Sequence, residues 1–151
     1  MPLKLTTYYR GKDIPDLPGT NTFHSKELFQ TYESTPGYTP LLIVATEEGR
    51  PVARLLAAIR KTKKWLPSSL VKQCVVYGAG EFLDTSLPAS KEKEEDIFGE
   101  MLEHLTQEAS RTCILIEFRN LDNSMFGYRF FRKNDFFPVN WLRVRNSLHS
   151  T

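Results

Sequence analysis

LVKQCVVYGAG at 70–80, the helix-patterned run that opens at Ser90, and CILIEF at 113–118 form the stretch whose reading decides the fold. The first piece is apolar, rich in β-formers and closed by two glycines, so it predicts a strand. In the second, Ser90 can cap a helix, Glu92, Glu94, Glu95 and Asp96 fill the first turns, and Ile97, Met101, Leu102 and Leu105 make an apolar stripe. Negative charge in those turns complements the helix dipole, so the acidic run reads as a solvated helix face rather than a metal site. CILIEF is apolar at successive positions, the pattern of a central strand covered on both faces. Strand, helix and strand in that order predict a crossover between parallel neighbours.

Upstream, LLIVAT at 41–46 and PVARLLAAI at 51–59 flank Glu47-Glu48-Gly49-Arg50, and Gly49 can supply the positive φ of a tight hairpin. LKLTTYY at 3–9 alternates as a first strand, and a Pro/Gly/Asn-rich loop follows to about Asn21. In FHSKELFQTYEST, Leu28, Phe29 and Tyr32 fall on one helical face, with Ser25 near the start and Pro36-Gly37 beyond the end. Downstream, Phe126, Phe130 and Phe131 suit a short helix over 125–135, and FFPVNWLRVRNSL at 136–148 alternates as a closing strand. The order β-α-β-β-β-α-β-α-β predicts an α/β (α+β) fold: one domain over 1–151, a mixed central sheet of about six strands, and helices on both faces.

The 151 residues, 40% hydrophobic and 25% charged with 10 Phe, 6 Tyr and 2 Trp, suit one ordinary globular core. A net charge of +2 marks neither a nucleic-acid binder nor a polybasic membrane anchor. Cys74 and Cys113 each lie in an apolar run, as buried structural cysteines do. No apolar stretch approaches the ~20 residues of a transmembrane segment and the opening lacks the apolar core of a secretory signal, so the expected location is cytoplasmic.

The element order resembles the GNAT acyltransferase fold. FHSKELFQTYE followed by TPLLIVATEEGRPVARLLAAI is similar to the opening of the Fem-like aminoacyl transferases that build peptidoglycan cross-bridges, where a strand-turn-strand carries acidic-Gly-x-Pro in its turn. VVYGAGEFLD, ILIEFRNLDN and FFRKNDFFPVNWLRV resemble the rest of that family's first GNAT-like half. The resemblance implies N-acyl transfer from an acyl-CoA or aminoacyl-tRNA donor to the amine of a peptidoglycan precursor or other peptide. It also implies a second GNAT-like domain as partner, since Fem-like enzymes draw on two such halves; the chain is then either a fragment, as an end just beyond a closing strand suggests, and incomplete for catalysis alone, or a single-domain relative whose function has drifted.

The connection GAGEFLDTSLPASKEKEE departs from the Arg/Gln-x-x-Gly-x-Gly/Ala turn with which GNAT enzymes hold a cofactor pyrophosphate. No basic residue stands between the glycines and Pro88, and the acidic helix start would repel phosphate, so no bound cofactor is expected here.

Acyl transfer to an amine needs a route for the amine proton and donors for a developing oxyanion. Glu117, Arg119 and Asn120 sit toward the carboxyl end of the crossover strand, where ligand-facing groups collect in α/β sheets. Glu117 can accept a proton or hold the amine, as the candidate catalytic residue, while Arg119 and Asn120 can bind an acidic or amide group; alternatively Glu117 and Arg119 form a same-face ion pair that only fixes the loop. Tyr77, Gly78 and Gly80 form a strand end that either lets a ligand approach the backbone or simply bends the chain. His24, His104 and His149 show no metal-ligand spacing, His104 reads as solvated, and Ser25 and Ser147 lack Gly-x-Ser-x-Gly surroundings. The basic segment 60–65 (RKTKKW), with Trp65, and the stretch 129–145, with Phe131 and Trp141, can contact tRNA phosphates and bases or make a solvated hairpin tip and core aromatics. The rival class is a non-catalytic peptide- or protein-binding module on the same scaffold.

Overall fold

The computed structural model describes residues 2–61, 71–83 and 90–139. Within them lie β1 (Lys4–Tyr8), α1 (Lys26–Ser34), β2 (Tyr38–Glu47), β3 (Arg50–Lys61), β4 (Lys72–Tyr77), β5 (Glu81–Phe82), α2 (Lys91–Ala109), β6 (Leu115–Arg119) and α3 (Tyr128–Lys133). Single 3-10 turns at Gly11–Asp13 and Thr22–His24 lead into α1. The expected closing strand lies mostly outside the described residues; its first positions, 136–139, are not strand.

The six-stranded sheet runs β1-β2-β3-β4-β6, with β5 also on β3. β1, β2, β3 and β4 pair antiparallel, and β4 pairs β6 in parallel, as a crossover through α2 requires. The hairpin turn has Glu48 at φ 51° and Gly49 at φ 77°, the paired positive dihedrals that match the twist of the flanking strands. Ser25 Oγ caps α1 by accepting from Leu28 N, and Ser90 Oγ caps α2 by accepting from Lys93 N.

Both faces of the sheet are covered. On one, Leu41, Ile43, Leu55, Ala57, Cys74 and Val76 pack against Ile97, Met101, Leu105 and Ala109 of α2. On the other, Leu42, Val44 and Leu56 pack against Phe29 of α1 and Ile14. Phe29 and Phe98 are fully buried, each contributing about 2–3 kcal/mol of apolar transfer. Phe98, Phe118, Phe131 and Phe136 form an aromatic cluster with centroids 5.1–6.0 Å apart, which holds α3 against the sheet. Not every aromatic in that region is core: Phe137 is 72% exposed.

Strand β6 also departs from expectation. It is the terminal strand of the sheet among the described residues, and Ile114 and Leu115 are 71% and 52% exposed. Only Ile116 and Phe118 turn to the α2 side; Glu117 and Arg119 stand on the other. His104 is not simply solvated, because its Nε2 lies 2.7 Å from Thr7 Oγ1. Cys74 is fully buried, and burial pushes its thiol up to about 12; Cys113 is half-buried, and both are free. Among the described residues, no helix is long and apolar enough to cross a membrane.

Candidate functional site

The site is built where β4 gives way to β5. Between the pairs Ala57↔Val76 and Arg54↔Glu81, β3 contributes two residues, Leu55 and Leu56, while the opposing chain contributes four, Tyr77 to Gly80. The excess forms a bulge, which lifts the chain out of the ladder and turns its backbone groups toward other partners. Gly78 and Gly80 have φ of 77° and 89°, conformations that suit glycine. A Cβ on Gly80 would stand 2.9 Å from the Arg54 carbonyl, so that glycine lets β5 fold closely onto β3. The Gly78 N–H donates to the Arg119 carbonyl at 2.7 Å, tying the bulge to the end of β6.

Beside it, the parallel register places Tyr77 opposite Arg119 and Val75 opposite Glu117. Glu117 accepts from Arg119 Nε at 2.9 Å, Arg119 Nη2 at 3.1 Å and Gln73 Nε2 at 2.6 Å. Gln73 in turn accepts from Arg60 Nη2 at 3.4 Å. Four side chains from β3, β4 and β6 thus form one chain of hydrogen bonds on the face that carries α1. The Arg119 guanidinium holds the Glu117 carboxyl below its ordinary value, outweighing partial burial. Both groups remain reachable, at 26% and 34% exposure. Phe23 stacks on Tyr77 at 5.6 Å.

Of the residues expected at the site, Tyr77, Gly78, Glu117 and Arg119 therefore come together. Gly80 sits at the far end of the bulge, facing β3, and Asn120 follows Arg119 in a left-handed conformation at φ 56°. From the basic segment, Arg60 and Lys61 line a cavity of about 220 Å³ with Lys72 and Tyr38. Residues 62–65, like Pro88, Trp141, Ser147 and His149, lie outside the described residues.

Three residues beside the bulge were not singled out by the pattern. Arg54 and Glu81 form an ion pair at 2.6 Å, with side chains only 6% and 12% exposed. Glu81 also accepts from Thr20 N at 2.7 Å and Asn21 N at 2.9 Å. Burial pushes its carboxyl up, but those amides and Arg54 outweigh it and hold it below the usual range. The available signal was an arginine amid the apolar run PVARLLAAI, which demands a buried partner. His24 is the third; it is fully buried and accepts from Leu56 N at 3.0 Å.

The α2 start offers little to a phosphate. Glu92 and Glu94 lie in its first turn and Ser90 Oγ already takes up the Lys93 N–H. No group of three His, Cys, Asp or Glu among the described residues could hold a metal ion.

No family model and no curated protein matches this sequence. Solved structures do match. An aminoglycoside acetyltransferase from an uncultured soil metagenomic sample, in complex with sisomicin, superposes with a TM-score of 0.53 at 13% identity, over 99% of this chain and 96% of that one. A transcriptional regulator from Bacillus halodurans C-125 gives a TM-score of 0.52 at 15% identity, covering 80% and 73%. A predicted acetyltransferase with acetyl-CoA from Clostridium acetobutylicum gives 0.50 at 18% identity, covering 80% and 71%. The mixed six-stranded sheet with helices on both faces and these likenesses together identify the fold as that of the GNAT acetyltransferases.

Proposed function

We propose that this chain is an N-acyltransferase domain, of the Fem-like type its sequence resembles, transferring an acyl group to the amine of a peptidoglycan precursor or another peptide. The observation that carries the reading is the bulge at Gly78–Gly80 standing beside the Glu117–Arg119 pair. The bulge turns backbone out of the ladder next to reachable charged groups, so a donor's carbonyl and an acceptor amine can meet there. Glu117 is the group for the amine. With its carboxyl held low by Arg119, it serves as counter-charge and hydrogen-bond acceptor for an ammonium more than as a strong base. Arg119 and Asn120 then face an acidic or amide group of the acceptor. In the transfer, the ammonium first gives one proton to water, the neutral amine nitrogen bonds to the acyl carbon as the donor's thiolate or alkoxide leaves, and the second amine proton passes to that leaving group.

An acyl-CoA is the donor we propose, a choice the acetyl-CoA complex of one structural neighbour supports. The acidic α2 start implies that affinity comes from the acyl and amide arm rather than the phosphates. An aminoacyl-tRNA is the second donor, favoured by the cations Arg60, Lys61 and Lys72 around one cavity. A second GNAT-like domain would complete the cleft. The internally satisfied Gln73–Glu117–Arg119 network favours a different second reading, a non-catalytic module that grips a peptide at the same place.

The test is a thermal-shift and calorimetric titration with acetyl-CoA and longer acyl-CoAs, because a ligand specific to the native state must raise its stability. A saturable shift is expected. No shift up to millimolar concentration, together with saturable binding of peptides, would replace the enzyme by the module.

A further inference from the structure

The antiparallel register of β3 and β4 runs Lys61↔Lys72 to Ala57↔Val76. One step further it would set Leu56 against Tyr77. At that step the ladder is interrupted, and the Leu56 N–H donates instead to His24 Nδ1 at 3.0 Å. The bond fixes the neutral tautomer, with the proton on Nε2. That nitrogen lies at the bulge: it is 3.7 Å from where a Gly78 Cβ would stand. It is buried and makes no well-aligned hydrogen bond among the described residues, although the Tyr77 backbone is near enough to favour its proton. An imidazole from the turn before α1 therefore occupies the rung between β3 and β4.

We infer that His24 is a positioning residue for the acyl-donor site, a wedge that keeps β4 off β3 and holds the Tyr77–Gly80 bulge open. The geometry explains why a polar ring is buried here. An apolar wedge would strand the Leu56 N–H, and a buried unpaired donor is costly. An alkyl-length side chain would let the strands close and pull Gly78 away from the Arg119 carbonyl, which it now meets at 2.7 Å. The charged groups nearest the ring, Arg54 and Glu81, pair with each other rather than with it. The wedge stands on the geometry alone; its service to a donor rests on the acyltransferase reading.

The experiment uses the full chain, 15N-labelled, as wild type, His24→Asn and His24→Gln. Asn places an acceptor near the position of Nδ1; Gln reaches toward Nε2 and leaves Leu56 without its acceptor. Amide exchange at Leu56 and Gly78, the imidazole tautomer by 15N spectroscopy, and the acetyl-CoA dissociation constant are measured at pH 7. The expected wild type shows the Nε2–H tautomer. Leu56 exchange rises on the order of a hundredfold in His24→Gln and acetyl-CoA binding weakens about tenfold, each 1.4 kcal/mol being one decade, while His24→Asn largely restores both. Equal Leu56 protection in all three proteins, or an Nδ1–H tautomer, would overturn the wedge. Altered exchange with unaltered acetyl-CoA affinity would overturn the positioning role and leave the acyltransferase reading standing. If the wild type binds no acyl-CoA, the choice of acyl-CoA as donor falls with the positioning role, and the exchange data still decide the wedge. Should His24→Gln fail to fold, the tautomer and the His24→Asn exchange decide it.

Discussion

Arg54 of β3 and Glu81 of β5 meet at 2.6 Å, 27 residues apart in sequence, and the same carboxylate gathers the Thr20 and Asn21 amides. One buried pair thus fastens the strand beyond the bulge and the loop before α1 to the middle of the sheet. Removing one partner leaves an uncompensated charge, so Glu81→Gln is expected to cost about 3 kcal/mol or more in urea unfolding. The double replacement Arg54→Met, Glu81→Leu recovers part of that loss, since both charges are then gone. A double variant less stable than the single one would mean that the amides of the loop, not the ion pair, carry the energy.

The two glycines of the bulge should differ. Both have positive φ, which costs a non-glycine residue about 1–2 kcal/mol. At Gly78 an added methyl meets only His24 Nε2 at 3.7 Å, an ordinary contact, whereas at Gly80 it meets the Arg54 carbonyl at 2.9 Å. Gly80→Ala is therefore expected to destabilise more than Gly78→Ala, with the amide of Leu83, which follows β5 and donates to the Val52 carbonyl, losing exchange protection first. Equal melting temperatures for the two variants would show that β5 moves to accept the methyl.

These features also mark where sequence reading reached its limit. Periodicity was sufficient for β1, α1, α2 and α3, and apolar runs of β-formers between turn signals for the β2–β3 hairpin, β4 and β6. Strand β5 has only two residues, too few for any period, and depends on the glycines before it. CILIEF overstated the cover on β6, since a continuous apolar run does not say which residues face solvent, and Ile114 precedes the paired residues altogether. The pair Glu117–Arg119 was legible because residues two apart on a strand share a face. His24 and Arg54–Glu81 were not, because only the folded chain brings their partners within reach.

Glu117→Gln tests the acceptor side. The pair with Arg119 is partly exposed, so its loss should change stability by less than about 1 kcal/mol. If Glu117 meets the amine, the KM for the acceptor should rise about tenfold, the size of one lost charge-assisted hydrogen bond, with a smaller change in kcat. The measurements are steady-state kinetics against amine concentration and a melting curve. A melting temperature that falls steeply with unchanged KM would assign the ion pair to holding the end of β6 instead.

His24 sets the pH dependence of stability. Burial lowers its pKa from the ordinary 6.5 to about 4, the Tyr77 backbone and Glu81 opposing that shift and Arg54 adding to it. Between those values the unfolded chain binds a proton that the folded one refuses, so the contribution is fully present above pH 6.5 and is lost as pH falls toward 4. At ~1.4 kcal/mol per pH unit, the window is worth about 3 kcal/mol. Glu81 and Glu117, both held low, add stability that is present above their ordinary carboxylate value and lost only in more acidic solution. Urea unfolding of wild type and His24→Asn from pH 7 to pH 4.5 separates the two sources. The wild-type curve should fall from pH 6.5 downward while that of His24→Asn stays flatter until the carboxylates titrate. Parallel curves would show that His24 protonates as readily in the folded chain as in the unfolded one, and so that its Nδ1 does not hold the Leu56 N–H between β3 and β4.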